Sequence, residues 1–159
     1  MLTVNLICIG SLKERYWRDA CAEYQKRLSA FCKLQIIELP ESRLSDNPSQ
    51  AQIEKALAEE GKRILHKASG STLLPLCIEG REMDSPALSR LLEDFMTGGT
   101  STVSFVIGGS FGLSDAVKEA GARRISMSPM TFPHQLARVM LLEQVYRAFM
   151  IRRGAKYHK

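Results

Sequence analysis

Residues 105–112 read Phe105-Val-Ile-Gly108-Gly109-Ser110-Phe111-Gly112, with Ser114 just behind them. An apolar, β-branched run that breaks into glycines and then meets a helix N-cap residue is a strand turning tightly into a helix. Glycines at such a turn permit positive φ and let main chain approach a ligand closely. In open α/β sheets, ligands sit beyond the carboxyl ends of the strands. The spacing matches neither GxGxxG nor the P-loop with its Gly-Lys-Ser/Thr ending, which disfavours a nicotinamide cofactor or a nucleoside triphosphate.

Working outward, apolar and β-branched runs at 2–10, 33–39, 72–79 and 102–107, and a short one at 124–127, read as strands. Residues 13–31, 50–68, 85–96, 114–120 and 134–152 read as helices. Pro75 inside the third strand marks an edge, a bulge or a bend near a ligand. Ser85-Pro86 reads as an N-cap followed by proline at the first helical position. The alternation predicts α/β architecture, a mostly parallel sheet flanked by helices, in one domain over 1–159.

Two further segments belong at the glycine turn's end of such a sheet. One is Leu74-Pro75-Leu76-Cys77 leading to Glu79-Gly80; the other runs Ser126-Met-Ser-Pro-Met-Thr-Phe-Pro133. Irregular loops of this kind offer main-chain donors and acceptors to an adenine edge and a ribose within an apolar surround. Each alone is a loop; the three together make a cofactor site.

The net charge is +5. From His134 onward there are six basic residues (Arg138, Arg147, Arg152, Arg153, Lys156, Lys159) against Glu143 alone, and the first 133 residues balance at 16 of each sign. A localised basic patch suits a polyanionic partner, nucleic acid first, or else is a solvated tail. From His134 to Ile151, 12 of 18 residues are apolar and occupy nearly every face of the helix. Such a helix must be covered all round, by a second subunit or by complete burial within one.

The apolar N-terminal run is broken by Gly10 and followed by Lys13 and Arg15, a strand rather than a signal peptide. No stretch is long enough for a membrane span, so a cytoplasmic protein is expected. Cys8, Cys21, Cys32 and Cys77 form no CxxC pair and have no His at metal spacing, so they read as buried reduced thiols with no metal. GxSxG and HExxH are absent. His66 reads as a surface residue. His134, at the start of the last helix, is a cap, a structural residue or a catalytic one. The tail Arg152-Arg-Gly-Ala-Lys-Tyr-His-Lys159 either stacks on a base and contacts phosphates or is a frayed terminus.

Five stretches together resemble the RlmH-type pseudouridine methyltransferases of the SPOUT superfamily, over essentially the whole chain. They are Ile9-Gly-Ser-Leu-Lys-Glu-Arg-Tyr-Trp17, the Phe-Val-Ile-Gly-Gly-Ser-x-Gly turn, Met130-Thr-Phe-Pro-His-Gln135, Glu143-Gln-Val-Tyr-Arg-Ala-Phe149 and Arg153-Gly-x-x-Tyr-His-Lys159. The resemblance implies a deep C-terminal trefoil knot holding S-adenosyl-L-methionine, with contacts from Leu76, Gly108, Met127, Ser128, Pro129, Met130, Thr131 and Phe132. It also implies a homodimer packed through the knot. The implied substrate is a 23S ribosomal RNA pseudouridine (position 1915) in the large subunit or whole ribosome, methylated at N3. An imide nitrogen must lose its proton to become nucleophilic, and a nearby cation lowers its pKa. The candidates for that work are His134, Arg138, Arg147, Arg153, Tyr157 and His158, with a His or Tyr as base and the arginines holding phosphate or the developing anion.

Three rivals remain at this level: an RNA-binding factor that keeps the site without turnover, a methyltransferase for transfer RNA, and a flavin-binding α/β domain.

Overall fold

A computed structural model describes residues 1–159. The elements, in chain order, are β1 Thr3–Ile9, α1 Arg15–Leu28, β2 Lys33–Leu39, α2 Gln50–Lys67, β3 Thr72–Glu82, α3 Ser85–Thr97, β4 Thr102–Ile107, α4 Asp115–Ala120, β5 Ile125–Ser126 and α5 His134–Arg152. The five strands form one sheet in the order β2-β1-β4-β3-β5, and every pairing is parallel.

Both faces of the central strands are buried, which is why β1 and β4 read as continuous apolar runs. Val4, Leu6 and Cys8 join Val103, Phe105 and Ile107 in a core shared with α1, α3 and α5. Ile7, Ile9 and Val106 face the other way, into a smaller core under α2 and α4. The result is three layers, with α5 packed between α1 and α3 on the larger core.

Three local readings are corrected by tertiary pairing. The N-cap of α3 is Asp84, whose carboxylate accepts from the Ala87 N–H at 2.7 Å, not Ser85. The Ser85 hydroxyl instead donates to Gln144 Oε1 at 2.6 Å, tying α3 to α5. Strand β3 runs on to Glu82 because Arg81 and Glu82 pair with Ile125 and Ser126, a contact no local pattern signals. Cys77 is only half-buried, whereas Cys8, Cys21 and Cys32 are buried.

Pro75 marks a bend. Strand β3 pairs with β4 only from Thr72 to Pro75, and its register with β5 then shifts between Leu76 and Arg81. Proline has no N–H to continue a ladder. Beyond the shift, Gly80 lies so near β5 that a Cβ there would sit 2.7 Å from the Ile125 carbonyl carbon.

No helix is long and apolar enough to cross a membrane. No group of three or more His, Cys, Asp or Glu side chains is placed to hold a metal ion.

Candidate active site

The register shift takes Cys77, Ile78 and Glu79 of β3 out of the ladder before the strand rejoins β5 at Arg81. A cavity of about 760 Å³ opens there, at the carboxyl ends of β3, β4 and β5. Its walls are the three segments that the sequence placed together: Leu76 to Glu79, Gly108 to Leu113, and Ser126 to His134 except Pro129, which does not face the cavity. The size and the mainly apolar lining suit a drug-sized organic ligand.

The glycine turn is built by close main-chain approach. Gly112 has φ +81° and its N–H donates to the Gly109 carbonyl at 3.1 Å. A Cβ on Gly108 would collide with the Gly112 carbonyl, so only glycine closes this turn.

The opposite wall is the loop 127–132. Its Met130 N–H donates to Ser128 Oγ at 3.0 Å, while the N–H groups of Met127, Ser128, Thr131 and Phe132 have no partner within the chain. Helix α5 follows at once with Pro133 as N-cap and no side-chain cap, so its first N–H groups are open as well. Main-chain polar groups left without protein partners are met by solvent or by a ligand. Phe111 and Met130 stand exposed at the cavity's rim, 49% and 71% accessible.

Charge is sparse here. Lys118 of α4 lines the cavity and is ion-paired with Glu79 of β3. That hydrogen bond holds the Glu79 carboxyl below its ordinary range. Burial pushes the Cys77 thiol up, with the Glu79 charge adding to the shift. A triphosphate would find one cation, already engaged; an uncharged purine and a ribose would find the free N–H groups. Lys118 was missed in the sequence because it sits on a short helix whose inward face no periodicity reveals.

The remaining sequence candidates fall into two places. His134 lines the cavity. Arg138, one turn further along α5, does not reach solvent: it is 2% exposed, donates from Nη1 to Glu38 Oε2 at 2.7 Å and from Nη2 to the Gly10 carbonyl at 3.4 Å. It therefore holds α5 against the ends of β1 and β2, and no phosphate can reach it.

Arg147, Tyr157 and His158 form a second cluster near the far end of α5. Arg147 pairs with Glu143 at 2.5 Å, and its guanidinium lies 4.7 Å from the centre of the Tyr157 ring. The Tyr157 hydroxyl donates to Glu143 Oε1 at 3.1 Å, and His158 Nδ1 lies 3.4 Å from Arg147 Nη1. The tail is thus folded back on α5, not frayed. Burial, then the hydrogen bond to Glu143, pushes the Tyr157 hydroxyl above its ordinary pKa, so it stays protonated and acts as a donor. Arg153 is exposed and stacks on Phe31 at 5.9 Å. With Arg138 buried, Arg147 paired with Glu143 and Arg152 paired with Glu93 at 3.5 Å, the basic surface of this segment narrows to Arg153, Lys156 and Lys159.

Comparison with known proteins agrees with this architecture. Residues 2–158 match the family model described as "Predicted SPOUT methyltransferase". A "Ribosomal RNA large subunit methyltransferase H" of Leuconostoc citreum is 43% identical over 159 residues, covering 99% of this chain and 100% of the relative. Among solved structures, a probable methylase family protein of Haemophilus influenzae superposes with a TM-score of 0.59 at 11% identity, over 98% of this chain and 70% of that one. A putative methyltransferase of Legionella pneumophila, solved with bound SAM, gives 0.51 at 14% identity, over 93% and 66%. A family model spanning almost the whole chain, a full-length relative at this identity and the parallel sheet with its carboxyl-end cavity lead to one conclusion: the chain belongs to the SPOUT methyltransferase family.

Proposed function

We propose that the protein is an S-adenosyl-L-methionine-dependent methyltransferase of 23S ribosomal RNA, acting in the cytoplasm on N3 of a pseudouridine in the assembled large subunit or ribosome. The observation that carries the reading is the apolar cavity between Gly108 and the loop 127–132, with four unpartnered main-chain N–H groups in its wall. Acceptor nitrogens of an adenine and ribose hydroxyls suit those donors, and Leu76, Ile107 and Phe132 supply apolar walls for the ring. The bound cofactor supplies a methyl group on a sulfonium centre. The chain itself contributes position and exclusion of water: the loop 127–132 orients, and Phe111 and Met130 stand ready to cover.

The acting unit in this proposal is a homodimer. Leu136, Met140, Met150 and Ile151 of α5 are half-buried yet belong to neither core. They lie on the open side of the helix together with Glu143 and Arg147. Glu143, which anchors the tail, is nine residues from His134, or about 13 Å along the helix. A tail held there serves the cavity of a second copy better than its own. Tyr157 then acts as a hydrogen-bond donor, and Arg153, Lys156 and His158 meet the RNA backbone. The trefoil knot is part of the same proposal. Strand β5 lies outside β3, yet α5 returns to pack between α1 and α3, so the chain must pass the 82–84 connection on its way back.

The test is methyl transfer from labelled S-adenosyl-L-methionine to ribosomes, large subunits and free ribosomal RNA from a strain lacking the enzyme, with the product nucleoside mapped by mass spectrometry. Label at one large-subunit pseudouridine, on assembled particles only, is expected. Label on transfer RNA alone would discard the substrate; no transfer to any acceptor, with cofactor still bound, would reduce the protein to a binding factor.

A further inference from the structure

A second cavity, of about 620 Å³, lies between the loop after β1, the end of β2 and the first turn of α5. Its walls include Gly10, Lys13, Glu14, Glu38, Glu41 and His134. Two residues join it to the cofactor cavity. His134 lines both. Glu41 lines the second, and its Oε1 lies 3.2 Å from where a Cβ on Gly109 would be, while Gly109 lines the first. The two spaces share the His134 imidazole, and the Glu41 carboxylate of the second stands directly behind Gly109 of the first. A methyl acceptor has to come within van der Waals reach of the methyl group, so a space adjoining the cofactor cavity is where an acceptor can enter.

We propose that this second cavity receives the acceptor nucleobase, a uracil-type ring, with the Glu41 carboxylate accepting a hydrogen bond from a ring N–H. The proposal rests on the methyltransferase reading given above. Its chemistry follows from what the walls leave unused. The Glu41 carboxylate makes no hydrogen bond and no ion pair within the chain. Glu38 accepts from Arg138 and from the Leu12 N–H through Oε2 alone, leaving Oε1 free. Two wall residues are tied from behind: Arg138, 98% buried and not itself part of the lining, donates to the Gly10 carbonyl and to Glu38.

The sign of the charge selects the base rather than the phosphate. Arg138 balances Glu38, which leaves Glu14 and Glu41 against Lys13. A phosphodiester would be repelled there. A neutral ring with imide N–H groups and two carbonyl oxygens offers donors to the carboxylates and acceptors to Lys13. The phosphates are left to the exposed cations of the tail.

The experiment uses the full-length protein with undermethylated ribosomes. Two variants are compared with wild type: Glu41→Gln, which weakens the acceptor oxygen, and Ser11→Trp, which fills the cavity from an exposed loop position. Cofactor affinity is measured by calorimetry, kcat/KM by transfer to ribosomes, and RNA contact by ultraviolet cross-linking with peptide mapping in the absence of cofactor. The expected result is cofactor Kd within twofold of wild type, kcat/KM lowered at least tenfold in both variants, and cross-links on the peptides carrying residues 10–14 and 38–41. Wild-type kcat/KM in both variants, or cross-links confined to other peptides, would overturn the acceptor cavity while leaving the methyltransferase reading intact. A wild-type protein that transfers no methyl group to any RNA would remove that reading and this one together.

Discussion

Arg138 Nη1 meets Glu38 Oε2 at 2.7 Å, joining residues one hundred positions apart in the chain. The two partners differ in burial: the Arg138 side chain is 2% exposed and the Glu38 side chain 41%. Removing the partner of a buried charge costs about 3–5 kcal/mol, because the charge stays behind unpaired. Glu38→Ala strands the arginine and should lower unfolding free energy by about 3 kcal/mol. Arg138→Met leaves a carboxylate that water can reach, so its cost should be smaller, about 1–2 kcal/mol. Urea denaturation of both variants measures the difference; equal losses would mean that the pair is solvated on both sides.

Gly108 cannot carry a side chain without displacing the Gly112 carbonyl. Gly108→Ala should therefore open the turn, costing about 1–3 kcal/mol of stability and at least a tenfold loss of S-adenosyl-L-methionine affinity by calorimetry. Wild-type affinity would show that the cofactor does not depend on this turn.

The tail cluster separates binding from turnover. Replacing Tyr157 with Phe and His158 with Ala removes one hydrogen bond to Glu143 and one contact to Arg147, and neither residue lines the cofactor cavity of its own chain. Turnover on ribosomes should fall at least tenfold with cofactor Kd unchanged. Turnover equal to wild type would remove the tail from the mechanism.

The buried thiols make stability depend on alkaline pH. Burial pushes Cys8 up to about 12 and Cys32 up to about 11, against 9.0 for an exposed thiol. Below pH 9 both states keep the proton and the thiols add no pH dependence. Above pH 9 the unfolded chain loses it and the folded chain does not, so stability falls by about 1.4 kcal/mol per pH unit per thiol until the folded value is reached. Between pH 8 and pH 10, Cys8→Ala should therefore lose about 1.4 kcal/mol less than wild type in urea melts. Equal losses would mean that the Cys8 thiol meets solvent in the folded state.

Much of this was legible in the sequence because it was local. Strands β1 and β4 announce themselves as apolar runs, and the segments around Leu76, Gly108 and Met127 were grouped from glycine, proline and strand-end position alone. What sequence could not supply was long-range pairing. Arg138 reads as one more cation in a basic segment; only the fold shows Glu38 waiting for it. Glu41 reads as the start of a polar loop, and its position over Gly109 exists only once β2 and β4 flank β1. Ser85 reads as a cap because serine before proline is a good one, but the Asp84 carboxylate one residue earlier holds the Ala87 N–H instead.

The broken register between β3 and β5 has a mechanical meaning. The strands pair at Leu76 and again at Arg81 and Glu82, and the residues between carry no rungs. Leu76 and Arg81 face the same residue, Ile125, so 77–80 are an excursion of β3 out of the ladder, and a ligand in the cavity rests against that excursion. It braces a stretch of strand that has no partner of its own on β5. Loading the site would then stiffen the outer edge of the fold, so that amide hydrogens at 76–82 and 125–132 exchange together and slow together.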